Sequence, residues 1–378
     1  PQPGGTVALT LDIDLQAAAE ESLERTITGM MDTDSRQRGG AAVVMGVKSG
    51  EVLALATYPT YDPTTFNRDY ESLSTDDRLP LFNRATDGVY APGSTFKLCT
   101  AVAALESGII TPTTTIRDQG VYTYYAYPQP KCWIYRQYGS THGSINVSQA
   151  ITESCNYFFY ETGRLTGIET IDNYATQFGL GRSTGIETGD SKGALASPEY
   201  AKANELEWTD GQTITAAIGQ SYNLFTPIQL ANYVATLVGD GEHYKAHLLK
   251  NVKSYDNSSM IYAYDEGPEN TVSISDSTLQ AVKKGMYGVA NSTLSSQFSR
   301  CIVTCGAKTG SAQVGTDIAN GTFVCFAPYD DPQIAVAVVI EKGGSGAALA
   351  GVAVDIVNAY FSREEIGTAI IGENTLIS

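Results

Sequence analysis

The chain has 378 residues, 42% hydrophobic and 17% charged, which is enough apolar material for a sizeable core and argues against disorder. Its 24 basic and 41 acidic residues leave a net charge of −17, which argues against nucleic acid or an anionic membrane as the main partner. No apolar run reaches the roughly 18 residues of a membrane span, and no signal peptide opens the chain.

The start, "PQPGGTVALT", lacks an initiator methionine and reads as part of something longer. Next, "LQAAAEESLERTITGMM" (15–31) sets Leu15, Ala19, Leu23, Ile27 and Met30 at helical spacing. "AAVVMGVKSGEVLALATYP" (41–59) reads as a hairpin turning at Lys48-Ser49-Gly50. Residues 94–240 read as mostly helical with long loops. Within them the tyrosine-rich "VYTYYAYPQPKCWIYRQY" (121–138) reads as a surface loop or insertion. Three strands follow at 299–315, 321–329 and 333–343, then a helix at about 346–361. The early hairpin and the late strands can pair into one antiparallel sheet of a mixed α/β (α+β) fold. The terminal helix packs on that sheet, and a helical lobe faces it across a cleft.

The chemistry gathers in three short motifs. In "YAPGSTFKLCTAV", Ser94 and Lys97 share one helix face just after the break at Pro92-Gly93. Free backbone N–H groups there favour developing negative charge, and a neutral lysine can take the serine proton. A second cation in a dry cleft lowers the lysine's pKa. By itself the pair is weak, since about one or two Ser-x-x-Lys matches arise by chance in a chain this long. Lys308-Thr309-Gly310-Ser311, on a predicted strand, supplies that cation and a carboxylate-binding hydroxyl. Its glycine lets a substrate backbone approach closely, and the Ser311 N–H joins that of Ser94 in an oxyanion hole. Ser154-Cys155-Asn156 offers a hydroxyl and an amide for the leaving amine. It is preferred over Ser221-Tyr222-Asn223 because it follows "HGSINVSQAITE" in the middle of the helical lobe.

In that order, Ser-x-x-Lys, Ser-x-Asn and Lys-Thr-Gly resemble the set of penicillin-binding proteins and serine β-lactamases. "LFNRATDGVYAPGSTFK" (81–97), "HGSINVSQAITESCNYFFYETGRLTGI" (142–168), "FGLGRSTGIE" (178–187) and "AIGQSYNLFTPIQLANYVATL" (217–237) narrow the resemblance to the transpeptidase domain of class B penicillin-binding proteins, elongation type. It covers about residues 5–362. The resemblance implies a serine DD-peptidase/β-lactamase-like fold with a five-stranded antiparallel sheet. Residues 1–378 then form one transpeptidase domain, with a sheet lobe at about 35–60 and 300–362 and a helical lobe at about 80–295.

The resemblance also implies a peptidoglycan D,D-transpeptidase outside the bacterial cytoplasmic membrane, anchored by an N-terminal helix that, like a pedestal domain, lies outside this chain. Ser94 attacks the penultimate D-Ala carbonyl of a stem peptide and Lys97 takes its proton. Ser154 and Asn156 serve the leaving group, and Lys308 and Thr309 hold the terminal carboxylate. β-Lactams mimic that substrate, a membrane glycan polymerase is the expected partner, and no organic cofactor is needed. Ser311 stands where the family usually has threonine and keeps the hydroxyl.

Zinc is a further expectation. Asp118, Cys132, His142 and Cys155 follow the ligand order of some elongation-type relatives, and a carboxylate, an imidazole and two thiolates can close a tetrahedral site. The competing reading makes Cys155 a small buried residue and Cys132 a surface thiol. Cys301 and Cys305 read as packing residues on one strand. Four strand residues span about 13 Å, beyond the roughly 7 Å limit of a disulfide. His243 and His247 lie in an extended segment and are discounted as a ligand pair. A serine β-lactamase, a non-enzymatic penicillin receptor and a DD-carboxypeptidase remain alternatives to the transpeptidase.

Overall fold

The segment "GAAVVMG" is buried along its whole length, the signature of a strand covered on both faces. In the computed structural model, which describes residues 4–127, 129–314 and 318–369, it lies inside a five-stranded antiparallel sheet. The spatial order is Gly306–Val314, Ile318–Ala327, Ile334–Ile340, Gly40–Gly46, Val52–Tyr58, so the first of these is an open edge. Register follows the apolar alternation: Val336 pairs with Val44, Val338 with Ala42, and Val43 with Leu55. Lys48-Ser49-Gly50 is the hairpin turn expected of it.

Successive side chains divide between two cores. Ala42, Val44, Phe323, Val336 and Val338 face the helix Ile13–Asp34 and the C-terminal helix Ala350–Ala369. Asp12 caps the first of these, its carboxylate accepting from the Leu15 N–H at 3.1 Å, and Leu15, Ala19, Leu23 and Ile27 form its buried stripe. Ala41, Val43, Met45, Val324 and Val339 face the other way, into one continuous core with the central helices. At its middle runs Pro227–Val238, buried on all twelve residues and opened by a capping box between Thr226 and Gln229.

Three expectations change. The strand read at 299–315 begins only at Gly306, because the helix Ser295–Phe298 ends just before it and Cys301–Cys305 make a turn. Strand spacing therefore does not apply to Cys301 and Cys305, both free thiols, the second of them buried and bonded to the Val303 carbonyl. The tyrosine-rich segment is not simply a surface loop. Tyr127 is exposed, but Tyr122 and Cys132 are buried and residues Trp133–Tyr138 form a helix. Tyr122 donates to Glu161, and Arg164 donates to the Tyr122 oxygen at 3.1 Å and stacks over Tyr124. The third change is an addition, a small sheet of Thr6–Leu9, Leu249–Lys253 and Met260–Ala263. His243 and His247 do lie in extended chain, each bound elsewhere: His243 to Thr236 and His247 stacked on Tyr264.

Candidate active site

Pro92-Gly93 turns the chain into a short 3₁₀ turn, Gly93–Phe96, that runs on into the helix Lys97–Glu106. Gly93 has φ +53°, a region that favours glycine, and its N–H donates to the Gly219 carbonyl at 2.9 Å. Ser94 is half-buried at the rim, and Lys97, three residues on, is fully buried. The helix behind them buries every residue except its last.

Lys97 Nζ donates to Asn156 Oδ1 at 2.6 Å, the Ser154 carbonyl at 2.8 Å and Ser154 Oγ at 3.3 Å. Lys308 Nζ reaches the same hydroxyl at 3.0 Å and its neighbour's carbonyl, Thr309 O, at 3.0 Å. Ser154 thus stands between two buried lysines, in the left-handed conformation (φ +53°) that aims its side chain at them. Burial lowers Lys97 to about 8; burial, joined by the Lys97 charge, pushes Lys308 well below its usual range. Two cations this close in a dry site do not both stay charged at neutral pH. A hydroxyl bonded to both lets the missing proton reside on either nitrogen. The Ser94 hydroxyl, nearest in sequence, makes no hydrogen bond to a described residue, and all of the Lys97 bonds go to the Ser-x-Asn turn.

The Gly306–Val314 edge strand carries Thr309, Gly310 and Ser311 along the cleft, with Lys308 buried just before them. A Cβ built on Gly310 falls 2.5 Å from the Pro92 carbonyl oxygen, and one built on Gly93 falls 3.0 Å from the Ser311 nitrogen. Gly310 lines the cleft, and the close approach of the chain's own serine turn is a further reason for glycine there. The Ser311 hydroxyl accepts from the Gly346 N–H at 3.2 Å. Ser94, Ser154, Asn156 and Thr309 open on one cleft of about 840 Å³. The rival Ser221-Tyr222-Asn223 lies apart from the lysines. Asn223 is buried and bonds the Ala196 N–H and Ala216 carbonyl, a structural role.

Sequence reasoning missed one wall of this cleft. Lys131, Trp133 and Arg136 line it, as do Tyr160 and Gln220. The Trp133 indole N–H donates to the Glu153 carbonyl at 3.0 Å, tying the tyrosine-rich segment to the Ser-x-Asn turn. The aromatic and basic composition of the segment was the available signal.

Behind that wall the four metal candidates converge, their donor atoms all within 4.8 Å of one another. Cys132 Sγ lies 3.8 Å from Cys155 Sγ and 3.5 Å from His142 Nδ1; Asp118 Oδ2 lies 3.7 Å from Cys155 Sγ and 2.8 Å from His142 Nδ1. Zinc bonded tetrahedrally at about 2.3 Å to sulfur and about 2.0 Å to nitrogen and oxygen sets S···S near 3.8 Å and S···N and S···O near 3.5 Å. Three of the four measured edges fit, and the shorter His–Asp edge is the hydrogen bond those groups make between themselves. The buried Cys132 overturns its reading as a surface thiol. Sharing a proton with Cys155 pushes the Cys132 thiol down to about 5 against the effect of burial, with His142 assisting, while the Cys155 thiol moves up. The start of the helix Asn156–Thr166 donates the Phe158 N–H to the Cys155 sulfur at 3.4 Å. Such a bond supports a thiolate ligand.

Residues 40–361 match the family described as penicillin binding protein transpeptidase domain. The chain belongs to this transpeptidase family. It is 34% identical over 376 residues to the peptidoglycan D,D-transpeptidase MrdA of Escherichia coli (strain K12), covering 92% of this chain and 56% of that protein. This chain thus spans little more than half the length of that relative. Pseudomonas aeruginosa PBP2, solved in complex with WCK 5153, superposes with a TM-score of 0.83 at 31% identity, covering 95% of this chain and 76% of that one. A chain from a peptidoglycan synthase complex, whose structure describes the coordination of polymerization and crosslinking, gives 0.82 at 27%, covering 99% and 64%. The serine DD-peptidase/β-lactamase-like fold follows from these likenesses.

Proposed function

We propose that this chain is the cross-linking domain of a peptidoglycan D,D-transpeptidase, acting through a serine acyl-enzyme on Ser94. The observation that carries the reading is the Ser154 hydroxyl held between Lys97 and Lys308 beside the serine turn. Ser94 Oγ attacks the carbonyl of the penultimate D-Ala while its proton passes to neutral Lys97. The N–H groups of Ser94 and Ser311 receive the oxyanion. As the tetrahedral adduct collapses, the C–N bond breaks. The proton moves from Lys97 through Ser154 to the departing D-Ala amine, and an ester on Ser94 remains. Asn156 orients Lys97, and Lys308 with Thr309 pairs with the terminal carboxylate. An amine from a second stem peptide then attacks the ester, giving its proton back along the same path and releasing Ser94.

Asp118, Cys132, His142 and Cys155 would hold a structural Zn²⁺, whose ligation supplies rigidity to the tyrosine-rich wall and to the turn bearing Ser154 and Asn156. The same reading sets the domain outside the bacterial cytoplasmic membrane, joined to an anchor and working with a glycan polymerase. Among the described residues no helix is long and apolar enough to cross a membrane. The test is intact mass against time after adding benzylpenicillin, with Ser94→Ala alongside. One adduct that persists for hours and is missing from the variant supports the transpeptidase. An adduct that clears while drug is consumed points instead to a β-lactamase, and no adduct on folded protein refutes the Ser94 mechanism.

A further inference from the structure

The protein carries 17 more acidic than basic groups, yet the cleft wall contributed by the tyrosine-rich segment presents two cations, Lys131 and Arg136. Both are exposed, and neither makes an ion pair with a described residue. Glu153 is the single carboxylate among the described lining residues. Arg136 lines the cleft together with the Tyr160 ring.

The wall is also held in place. The Cys132 N–H donates to the Gly120 carbonyl at 2.7 Å, Lys131 bridges to Val121, and Trp133 is bonded to the Ser-x-Asn turn at Glu153. Two cations on a wall whose backbone is held, opposed by one carboxylate among the described lining residues, favour anions in the cleft. One terminal carboxylate already has Lys308 and Thr309, so Lys131 and Arg136 are surplus to it.

We propose that Lys131 and Arg136 are specificity residues that bind a second carboxylate of the donor peptide, so that the enzyme favours stem peptides whose side-chain carboxylate is free over those in which it is amidated. This rests on the transpeptidase reading above and names its preferred substrate class. The planar guanidinium suits a carboxylate bidentately, with Lys131 adding charge.

The experiment measures acylation of Ser94 by two synthetic peptide thioesters that mimic an acyl-D-Ala terminus and differ only in one upstream residue, glutamyl or glutaminyl. Benzylpenicillin acylation of the same protein is followed in parallel. The wild-type protein is expected to acylate about tenfold faster (kcat/KM) with the carboxylate peptide, and the ratio to shrink as salt is raised. In Lys131→Gln/Arg136→Gln the ratio falls to about one, and Arg136→Lys retains part of it. Equal rates for the two peptides in the wild-type protein overturn the proposal without any variant. So does a full preference in the double variant. A wild-type protein that takes penicillin but does not discriminate refutes this proposal alone. One that takes neither penicillin nor peptide refutes the reading beneath it, and this proposal with it.

Discussion

Gly310→Ala tests whether contact between the chain's own backbones sets the spacing of the site. The new methyl would lie 2.5 Å from the Pro92 oxygen, 3.1 Å from Thr95 Cγ2 and 3.3 Å from Thr322 Cβ. A carbon–oxygen contact relaxes to about 3.3 Å, so roughly 0.8 Å of movement is needed. The strand has no room to retreat, because a Cβ built on Gly346 lies 2.4 Å from the Gly310 oxygen on its other side. The serine turn must give instead, carrying Ser94 away from Lys308. Overpacking of this kind costs about 1–3 kcal/mol, or about 1–4 °C of Tm for a chain of this size. A misplacement near 1 Å costs about a hundredfold in rate. Acylation by a fluorescent penicillin should therefore fall far more than Tm does. Gly29→Ala is the control, since its Cβ meets nothing within 4 Å in a helix interior, and it should be neutral or slightly stabilising. Acylation by folded Gly310→Ala within about twofold of wild type would refute this account.

Because burial lowers Lys97 to about 8 and a neutral amine must accept the serine proton, acylation should climb as pH rises through about 8; a flat profile from pH 6 to 9 counts against Lys97 as base. Cys132→Ser removes one of the four converging donors, so bound zinc by elemental analysis should fall from about one equivalent to near zero, and chelator should lower the Tm of wild type only. A zinc content indifferent to the substitution sinks the metal reading. Burial raises Asp172 to about 8, with Glu199 adding to the shift. Its folded pKa exceeds the unfolded one, so folding stability is lost progressively as pH climbs from about 4 to about 8. Asp172→Asn should therefore gain in Tm over wild type across that range, and level off above it; a pH-independent difference refutes this.

The parts of the site that the sequence discloses are those fixed by local spacing. Ser94 and Lys97 are one turn apart whatever surrounds them, and period-two alternation declares the buried strands and their faces. The order of the three motifs favours Ser154-Cys155-Asn156, and tertiary contact with the lysines separates it from Ser221-Tyr222-Asn223. What stayed hidden depends on distant partners. The bonds of Lys97 to Asn156, 59 residues away, have no local signature. Nor does the crowding of Gly310 against Pro92. Tyr122 is buried because Glu161 and Arg164 receive it, while its own neighbourhood in sequence looks like loop. "CIVTC" is as apolar as a strand and so extends the expected strand containing Lys308, although the helix ending at Phe298 compels a turn there.

The helix Lys97–Glu106 buries every residue but its last. A substitution that overpacks it costs about 1–3 kcal/mol and also moves Lys97. Substitutions on the exposed wall at Lys131 and Arg136 carry no such core cost, so the entrance to the cleft can change while the chemistry beneath it is kept.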